Sequence, residues 1–155
     1  MSPSVKPIPD GYPQVSPSLV IDGAAQAIDF YTQVLGGVER MRMPAPEGRV
    51  GHAEITFGTS VVMVADEFPE MGIKSAKTVG GTPVTVALYV EDVDKTFKAA
   101  LEAGAKELRP VENKFYGDRS GQFEDPWGQC WDLMTHIEDV SPDEMMTRMK
   151  QAMPG

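Results

Sequence analysis

The feature that most constrains this chain is an internal repeat with a spacing of 70 residues. The segments Arg49 to Gly58 and Arg119 to Gly128 are identical at four of ten positions, and the aromatic Phe57 of the first matches Trp127 of the second. A repeat of this kind indicates one supersecondary unit that occurs twice, and each copy must bury its apolar face against something else. The sequence therefore predicts two copies of one module.

Hydrophobic periodicity predicts the order β-α-β-β-β in each copy and a further helix after the second copy. The chain then divides into a flexible lead-in, a first βαβββ module, a linker, a second βαβββ module and a C-terminal helix, at residues 1–14, 15–68, 69–82, 83–137 and 141–153. One helix covers only one face of a sheet, so the other face must be buried elsewhere. We therefore expect an α+β fold in which two modules close their sheets around a cup that suits a small molecule.

The last strand of the second module carries the most informative residue. It follows a tight turn with Pro126 and Gly128 at favoured positions. Its odd-numbered positions include Trp131, which we expect in the core, and its even-numbered positions share the other face: Cys130, Asp132, Met134 and His136. A carboxylate on an otherwise apolar face is partly desolvated, which raises its pKa unless a cation or donor is near. Asp132 is therefore the best candidate for a catalytic base or for the anchor of a cationic ligand.

The alternative for Asp132 is a buried salt bridge with Arg119 or Arg49. Tyr116 and Arg119 could close the mouth of the cup and contact ligand, but Arg119 could equally pair with Asp118 or Asp125 and hold the hairpin. We favour the hairpin role for Arg119, because Arg49 repeats it in the first module.

Composition excludes several classes of partner. The formal net charge is −9, whereas nucleic acids and anionic membranes require basic patches; a cationic small molecule would be attracted. The sequence has no apolar run of about 18 residues, the length a spanning helix needs, and its first residues lack the apolar core of a signal peptide. Cys130 is the single cysteine, which fits a reducing compartment. We expect a cytoplasmic protein.

Two motifs resemble a known superfamily. AIDFYTQVLGG, at residues 27–37, resembles the IDFY-x-x-x-LG signature of the vicinal oxygen chelate superfamily, which includes glyoxalase I, extradiol dioxygenases and the fosfomycin and bleomycin resistance proteins. The later pattern YGDR-x-G-x-x-x-DPWG-x-x-W-x-x-x-TH is similar to the PhnB-like branch of the same superfamily. The resemblance covers roughly residues 15–136. It implies a paired βαβββ cup, usually in a dimer that sometimes exchanges modules between chains.

The resemblance also implies where a metal would lie. Enzymes of this superfamily hold a divalent metal with His or Glu from four central strands, and the matching positions here are Ser16, a residue at or near Val62, Thr85 and Asp132. Only the last is a good ligand, whereas zinc and similar metals require three or four. The branch's usual His after the turn is replaced by Gln129. We therefore expect no cofactor; a divalent metal would require a relocated site that joins Asp132 to His52, Glu54 or His136.

The remaining candidates are weaker. His52 and Glu54 share a strand face and could act as base and orienter or as metal ligands, or they could be hydrogen-bonded structural residues. Cys130 has no basic neighbour in sequence and is expected to be inert. The complete set of expected ligand-binding residues is Ser16, Val62, Thr85, Tyr116, Arg119, Cys130, Asp132 and Met134.

Three functions are compatible with these features. The first is a homodimeric binding protein that holds a small organic molecule, cationic or rich in hydrogen-bonding groups, in the sheet cup. The second is a metal-dependent lyase, isomerase or dioxygenase that uses a relocated site. The third is a structural or regulatory partner that acts through the methionine-rich helix after Ser141 and the linker.

Overall fold

A computed structural model describes residues 4–153 of the chain. The chain divides into two compact units, Met1–Gly81 and Thr82–Gly155, which we call the first unit and the second unit. Each contains one four-stranded sheet. Among the described residues, no helix is long and apolar enough to cross a membrane.

The described part of the first unit contains four strands and two α-helices. In chain order they are β1 (Ser18–Ile21), α1 (Ala24–Gln33), β2 (Val38–Pro44), β3 (Val50–Phe57), β4 (Ser60–Asp66) and the short α2 (Ala76–Val79). The strand order in the sheet is β1-β4-β3-β2, with β1 parallel to β4 and the other pairs antiparallel.

The second unit repeats this arrangement and adds a C-terminal helix. Its elements are β5 (Thr85–Tyr89), α3 (Val93–Glu102), β6 (Lys106–Asn113), β7 (Asp118–Glu124), β8 (Cys130–His136) and α4 (Pro142–Ala152). The strand order is β5-β8-β7-β6, with β5 parallel to β8. The predicted α+β class, with two βαβββ modules and a final helix, is confirmed.

The long helix that follows the first strand of each unit, α1 or α3, covers one face of its sheet. In the second unit, α3 buries Phe97 against the apolar face of β7 and β8, where Phe123, Trp131 and Leu133 are fully buried. Burying a large apolar side chain contributes about 1.5–3 kcal/mol. Trp131 therefore belongs to the core, as the alternation of β8 predicts. The opposite face of this sheet carries the even-numbered residues of β8 and is free of α3.

A side chain from β4 in the first unit, and one from β8 in the second unit, fixes the start of the long helix of that unit. In the first unit, Asp66 Oδ1 accepts hydrogen bonds from the amides of Gly23 and Ala24, and Oδ2 accepts from the amide of Val50. In the second unit, Thr135 Oγ1 accepts from the amide of Val93. The contacts with Gly23, Ala24 and Val93 satisfy amides that have no partner within the helix, and the contact with Val50 ties the start of β3 to β4. The equivalent roles show that Asp66 and Thr135 correspond to each other in the repeat.

Side-chain bonds fix the start of α4. Ser141 Oγ accepts a hydrogen bond from the amide of Glu144 at 3.2 Å, so Ser141 is the N-cap of the helix. The Glu144 carboxylate pairs with Arg148. Arg148 also pairs with Glu138 and donates to the carbonyl of Phe115. These bonds hold α4 to the loops around β7.

Candidate functional site

The open face of the second sheet presents its side chains in rows across β5, β8 and β7. The register places Thr85 beside Cys130, then Ala87 beside Asp132 and Gln122, then Tyr89 beside Met134 and Ser120, and finally His136 beside Asp118. Neighbouring rows are about 7 Å apart along the strands. Predicted ligand-binding residues Thr85, Cys130, Asp132 and Met134 therefore share one surface.

Asp132 lies near the middle of this surface. Its Oδ1 atom is buried and has no hydrogen-bond partner among residues 4–153. Burial raises the pKa of the Asp132 carboxyl; the charge of Lys114 and the amide of Gln122 oppose this rise, and the charge of Asp118 adds to it. A buried acceptor without a donor is rare in proteins and calls for an explanation.

The alternative prediction, a buried salt bridge between Asp132 and Arg119 or Arg49, is wrong. Arg119 Nε and Nη2 donate to Asp94 at 2.8 and 2.9 Å, and Arg119 Nη1 donates to Asn113. Arg49 lies in the first unit and pairs with Glu70. The predicted pairing of Arg119 with Asp118 or Asp125 is also wrong, because the Arg119 guanidinium forms its salt bridge with Asp94 on α3. Arg119 therefore ties α3 to the sheet, which is a structural role with a different partner.

Cys130 is partly buried beside acidic groups. Desolvation, with smaller effects from Glu124 and Asp125, raises the pKa of its thiol. The thiolate is the nucleophilic form, so a raised pKa favours the less reactive thiol. That Cys130 is inert stays a prediction.

The repeat argument misplaced one candidate in the first unit. Val62 pairs with Ile55, which is fully buried, and lies on the α1 face of the sheet with Val64. Since Asp66 corresponds to Thr135, the counterpart of Asp132 is Met63. The offset between β4 and β8 is therefore 69 rather than the 70 of the matched segments, and a shift of one residue moves a side chain to the other face. Val62 is a core residue.

Ser16 keeps the position that the repeat gives it. It precedes β1, and the corresponding residue of the second unit is Thr85. The Ser16 hydroxyl oxygen is buried and, like Asp132 Oδ1, has no hydrogen-bond partner among residues 4–153.

A second polar cluster lies at the end of the same face of the second sheet. Asp118 is 4% exposed, and its two oxygens accept from Tyr89 Oη at 2.6 Å and from His136 Nδ1 at 2.8 Å. His136 Nε2 lies 2.7 Å from Asp139. The flanking carboxylates, first Asp118 and then Asp139, raise the pKa of His136. His136 thus joins Asp118 rather than Asp132, which lies two rows away.

This cluster forms part of the wall of a cavity of about 620 Å³ beneath α4. The cavity is lined by Tyr89, Phe115, Tyr116, Asp118, His136, Pro142, Met145, Met146 and Met149. The sequence predicted a ligand-contacting role for Tyr116 and an adaptable methionine stripe on the last helix. It did not indicate that these two features meet.

The first unit has its own buried carboxylate. Glu54 is 3% exposed and accepts hydrogen bonds from Tyr12 Oη and Arg40 Nε at 2.8 and 2.9 Å, with His52 Nε2 at 2.8 Å. The contact with His52, followed by those with Tyr12 and Arg40, lowers the pKa of Glu54 to about 2 against the effect of burial. Arg40 also stacks on the Tyr12 ring at 4.3 Å. The predicted His52–Glu54 pair is therefore real, and Tyr12, from the predicted lead-in, completes it.

The metal implied by the superfamily does not fit the residues that are present. Among residues 4–153, no group of three or more His, Cys, Asp and Glu side chains is arranged to hold a metal ion. Asp132 is flanked by Ala87 and Gln122 in its row. His52, Glu54 and His136 are each engaged in the clusters described above. We therefore derive no chemical step through a metal.

Comparisons with known proteins agree with this architecture. The sequence profile of the glyoxalase/bleomycin resistance protein/dioxygenase superfamily matches residues 14–133. Uncharacterised proteins of Mycobacterium bovis and Mycobacterium tuberculosis are 42% identical over 146 residues, which cover 92% of this chain and 96% and 86% of theirs.

Solved structures show the same fold. A protein from Pseudomonas aeruginosa has a TM-score of 0.68 at 24% identity, covering 81% of this chain and 99% of its own. TioX from Micromonospora sp. ML1 has a TM-score of 0.63 at 28% identity over the same shares. A PhnB protein from Bacillus cereus, called a putative 3-demethylubiquinone-9 3-methyltransferase, has a TM-score of 0.63 at 18% identity, covering 79% of this chain and 99% of its own. The chain belongs to the glyoxalase/bleomycin resistance protein/dioxygenase superfamily.

Proposed function

We propose that this protein binds a small organic molecule on the open face of its second sheet, with Asp132 as the anchor and without a metal at the superfamily's usual position. The observation that supports this proposal most is the buried Asp132 Oδ1, which has no donor among residues 4–153. Leaving a buried acceptor unpaired costs about 1–3 kcal/mol. A bound molecule that donates an N–H would recover that free energy.

The neighbours of Asp132 indicate the chemistry of the ligand. Ala87 lies on one side of Asp132 in its row, and Cys130 and Met134 precede and follow Asp132 on the same face of β8, so these three offer apolar contacts, whereas Gln122 lies on the other side of the row. A cation with N–H donors and an apolar or aromatic body would satisfy both features. The net charge of −9 would favour the approach of such a ligand. The homodimer and the cytoplasmic location stay predictions from the resemblance and the composition.

Benzamidine is a suitable probe, because it is a planar cation with N–H donors and an aromatic ring. We expect isothermal titration calorimetry at pH 7.5 to detect its binding to the wild type. Asp132→Asn should weaken it at least tenfold, since about 1.4 kcal/mol is a factor of ten in affinity. The matched control is Glu107→Gln, which removes one negative charge from an exposed position on β6 of the same sheet.

The control variant should change the affinity by less than twofold. Equal loss in both variants would assign the binding to overall charge and would contradict the proposal, as would no binding to the wild type. The same titrations with Zn²⁺, Ni²⁺, Mn²⁺ and Fe²⁺ test the metal-dependent alternative. A tightly held, stoichiometric metal that is lost in Asp132→Asn would overturn the proposal in favour of an enzyme.

A further inference from the structure

The cavity beneath α4 has the properties of a binding site that does not depend on Asp132. Three aromatic side chains, three methionines and Pro142 form most of its wall, and its volume is about 620 Å³. That volume falls within the range of about 300–1,000 Å³ typical of small-molecule sites. Asp132 lies two rows away along β8, at a distance of roughly 13 Å from the cluster at His136.

The aromatic residues of the cavity offer negative ring faces. Phe115 and Tyr116 are perpendicular, with ring centroids 5.2 Å apart and an interplanar angle of 89°. The third ring, Tyr89, is fixed by its hydrogen bond to Asp118. Ring faces of this kind attract organic cations, and several rings around one cation recognise quaternary ammonium groups. The methionine sulfurs of α4 add a polarisable and adaptable wall.

The charges of the cavity favour the same ligand class. None of the described residues that line it is Lys or Arg. The carboxylates of Asp118 and Asp139 flank His136, so the three groups carry a net negative charge even when the imidazole is protonated. Arg148 on α4 is engaged by Glu138 and Glu144. The electrostatic potential at the cavity should therefore attract a cation.

The hydrogen bonds of Asp118 narrow the class further. Each of its oxygens already accepts a short hydrogen bond, from Tyr89 and from His136. A ligand that depends on strong N–H donation would have to displace one of them. A cation that has no N–H needs only charge and ring contact. We propose that the cavity beneath α4 binds quaternary ammonium compounds with an apolar or aromatic body.

The test uses the full-length protein and benzyltrimethylammonium. Methyl NMR of ¹³C-labelled methionine should show saturable shifts at Met145, Met146 and Met149 during the titration, because an aromatic ligand enters their cavity. The uncharged isostere neopentylbenzene should bind at least tenfold more weakly. No saturable shift at these methyls, or equal affinity for the two compounds, would overturn the proposal without any need for a variant.

Variants then separate ring contact from folding. Tyr116→Leu should weaken benzyltrimethylammonium binding about 5- to 20-fold, from the typical strength of one cation–π contact. Tyr116→Phe keeps the ring and should stay within twofold of the wild type. Asp132→Asn should also keep the affinity for benzyltrimethylammonium within twofold of the wild type, because Asp132 does not line this cavity. The proposal for this cavity and the proposal for Asp132 can therefore be refuted independently. Loss of binding in Asp132→Asn but not in Tyr116→Leu would contradict the assignment.

Discussion

Replacing Glu54 with Gln should remove a large part of the acid sensitivity of the first unit. Glu54 is nearly inaccessible to solvent and is stabilised in its charged form by His52, Tyr12 and Arg40. Its pKa falls from an ordinary 4.5 to about 2 in the folded chain. In the unfolded chain these contacts are absent, so the same carboxyl titrates near its ordinary value.

The magnitude follows from this difference. A fall in pKa from 4.5 to about 2 corresponds to about 3.4 kcal/mol at 1.36 kcal/mol per pH unit. Arg40 and His52 are 28% and 31% exposed, so water screens their contacts, and we expect roughly 1.5 kcal/mol. Because the folded-state pKa is lowered, this stabilisation is present above the unfolded value and is lost as the pH falls from about 4.5 to about 2.

The assay is urea unfolding of the wild type and Glu54→Gln at several pH values, with amide exchange of β3 as a local readout. The free energies of unfolding should differ by roughly 1.5 kcal/mol at pH 7 and by less than about 0.5 kcal/mol at pH 2. The control is Glu47→Gln, whose side chain is 79% exposed, and which should change stability by less than about 0.5 kcal/mol. A difference between wild type and Glu54→Gln that does not depend on pH would refute the reasoning.

Two other predictions concern buried and exposed hydrogen bonds. Asp66→Ala leaves the amides of Gly23, Ala24 and Val50 without their acceptor. The free energy of unfolding, measured in urea, should therefore fall by about 3 kcal/mol or more. A loss below about 1 kcal/mol would contradict the role of Asp66. Asp139→Asn should lower the raised pKa of His136 in an NMR titration, because it removes one of the two flanking carboxylates. The stabilisation from this histidine is present below its ordinary pKa of 6.5 and is lost as the pH rises through its pKa in the folded protein. In Asp139→Asn this loss should therefore occur at a lower pH. An unchanged titration of His136 would show that Asp139 does not act on it.

The sequence predicted the modules and the open face of β8 because these depend on local periodicity. Alternation along one strand is enough to place Asp132 opposite Trp131, and the register confirms that they lie on different faces. The repeat predicted the same order of elements in both units. It failed at Val62, because β4 and β8 correspond with an offset of 69 residues, whereas the matched sequence segments are 70 residues apart. A repeat fixes equivalent elements well but fixes the face of a residue only when the offset is known to the residue.

The polar clusters could not be predicted from the sequence, because several of their members are far apart along the chain. Tyr12 and Glu54 are 42 residues apart, and Tyr89 and Asp118 are 29 residues apart. Tyr12 lies in a proline-containing stretch without periodicity, so nothing in the pattern indicated a contact with β3. Similarly, the stripe of methionines predicted an apolar face for α4 but not the aromatic residues that it would meet. Such contacts depend on how elements pack rather than on local preference.

The pKa of Asp132, followed by NMR of its side-chain carboxyl carbon with and without benzamidine, tests the central claim most directly. In the free protein, burial should hold this pKa above that of an ordinary aspartate. Saturating benzamidine should lower it, because a bound cation favours the charged carboxylate, and by linkage the affinity for benzamidine should fall as the pH falls through the free-protein value. An Asp132 pKa that does not respond to benzamidine, while the ligand binds elsewhere or not at all, would contradict the assignment of Asp132 as the anchor.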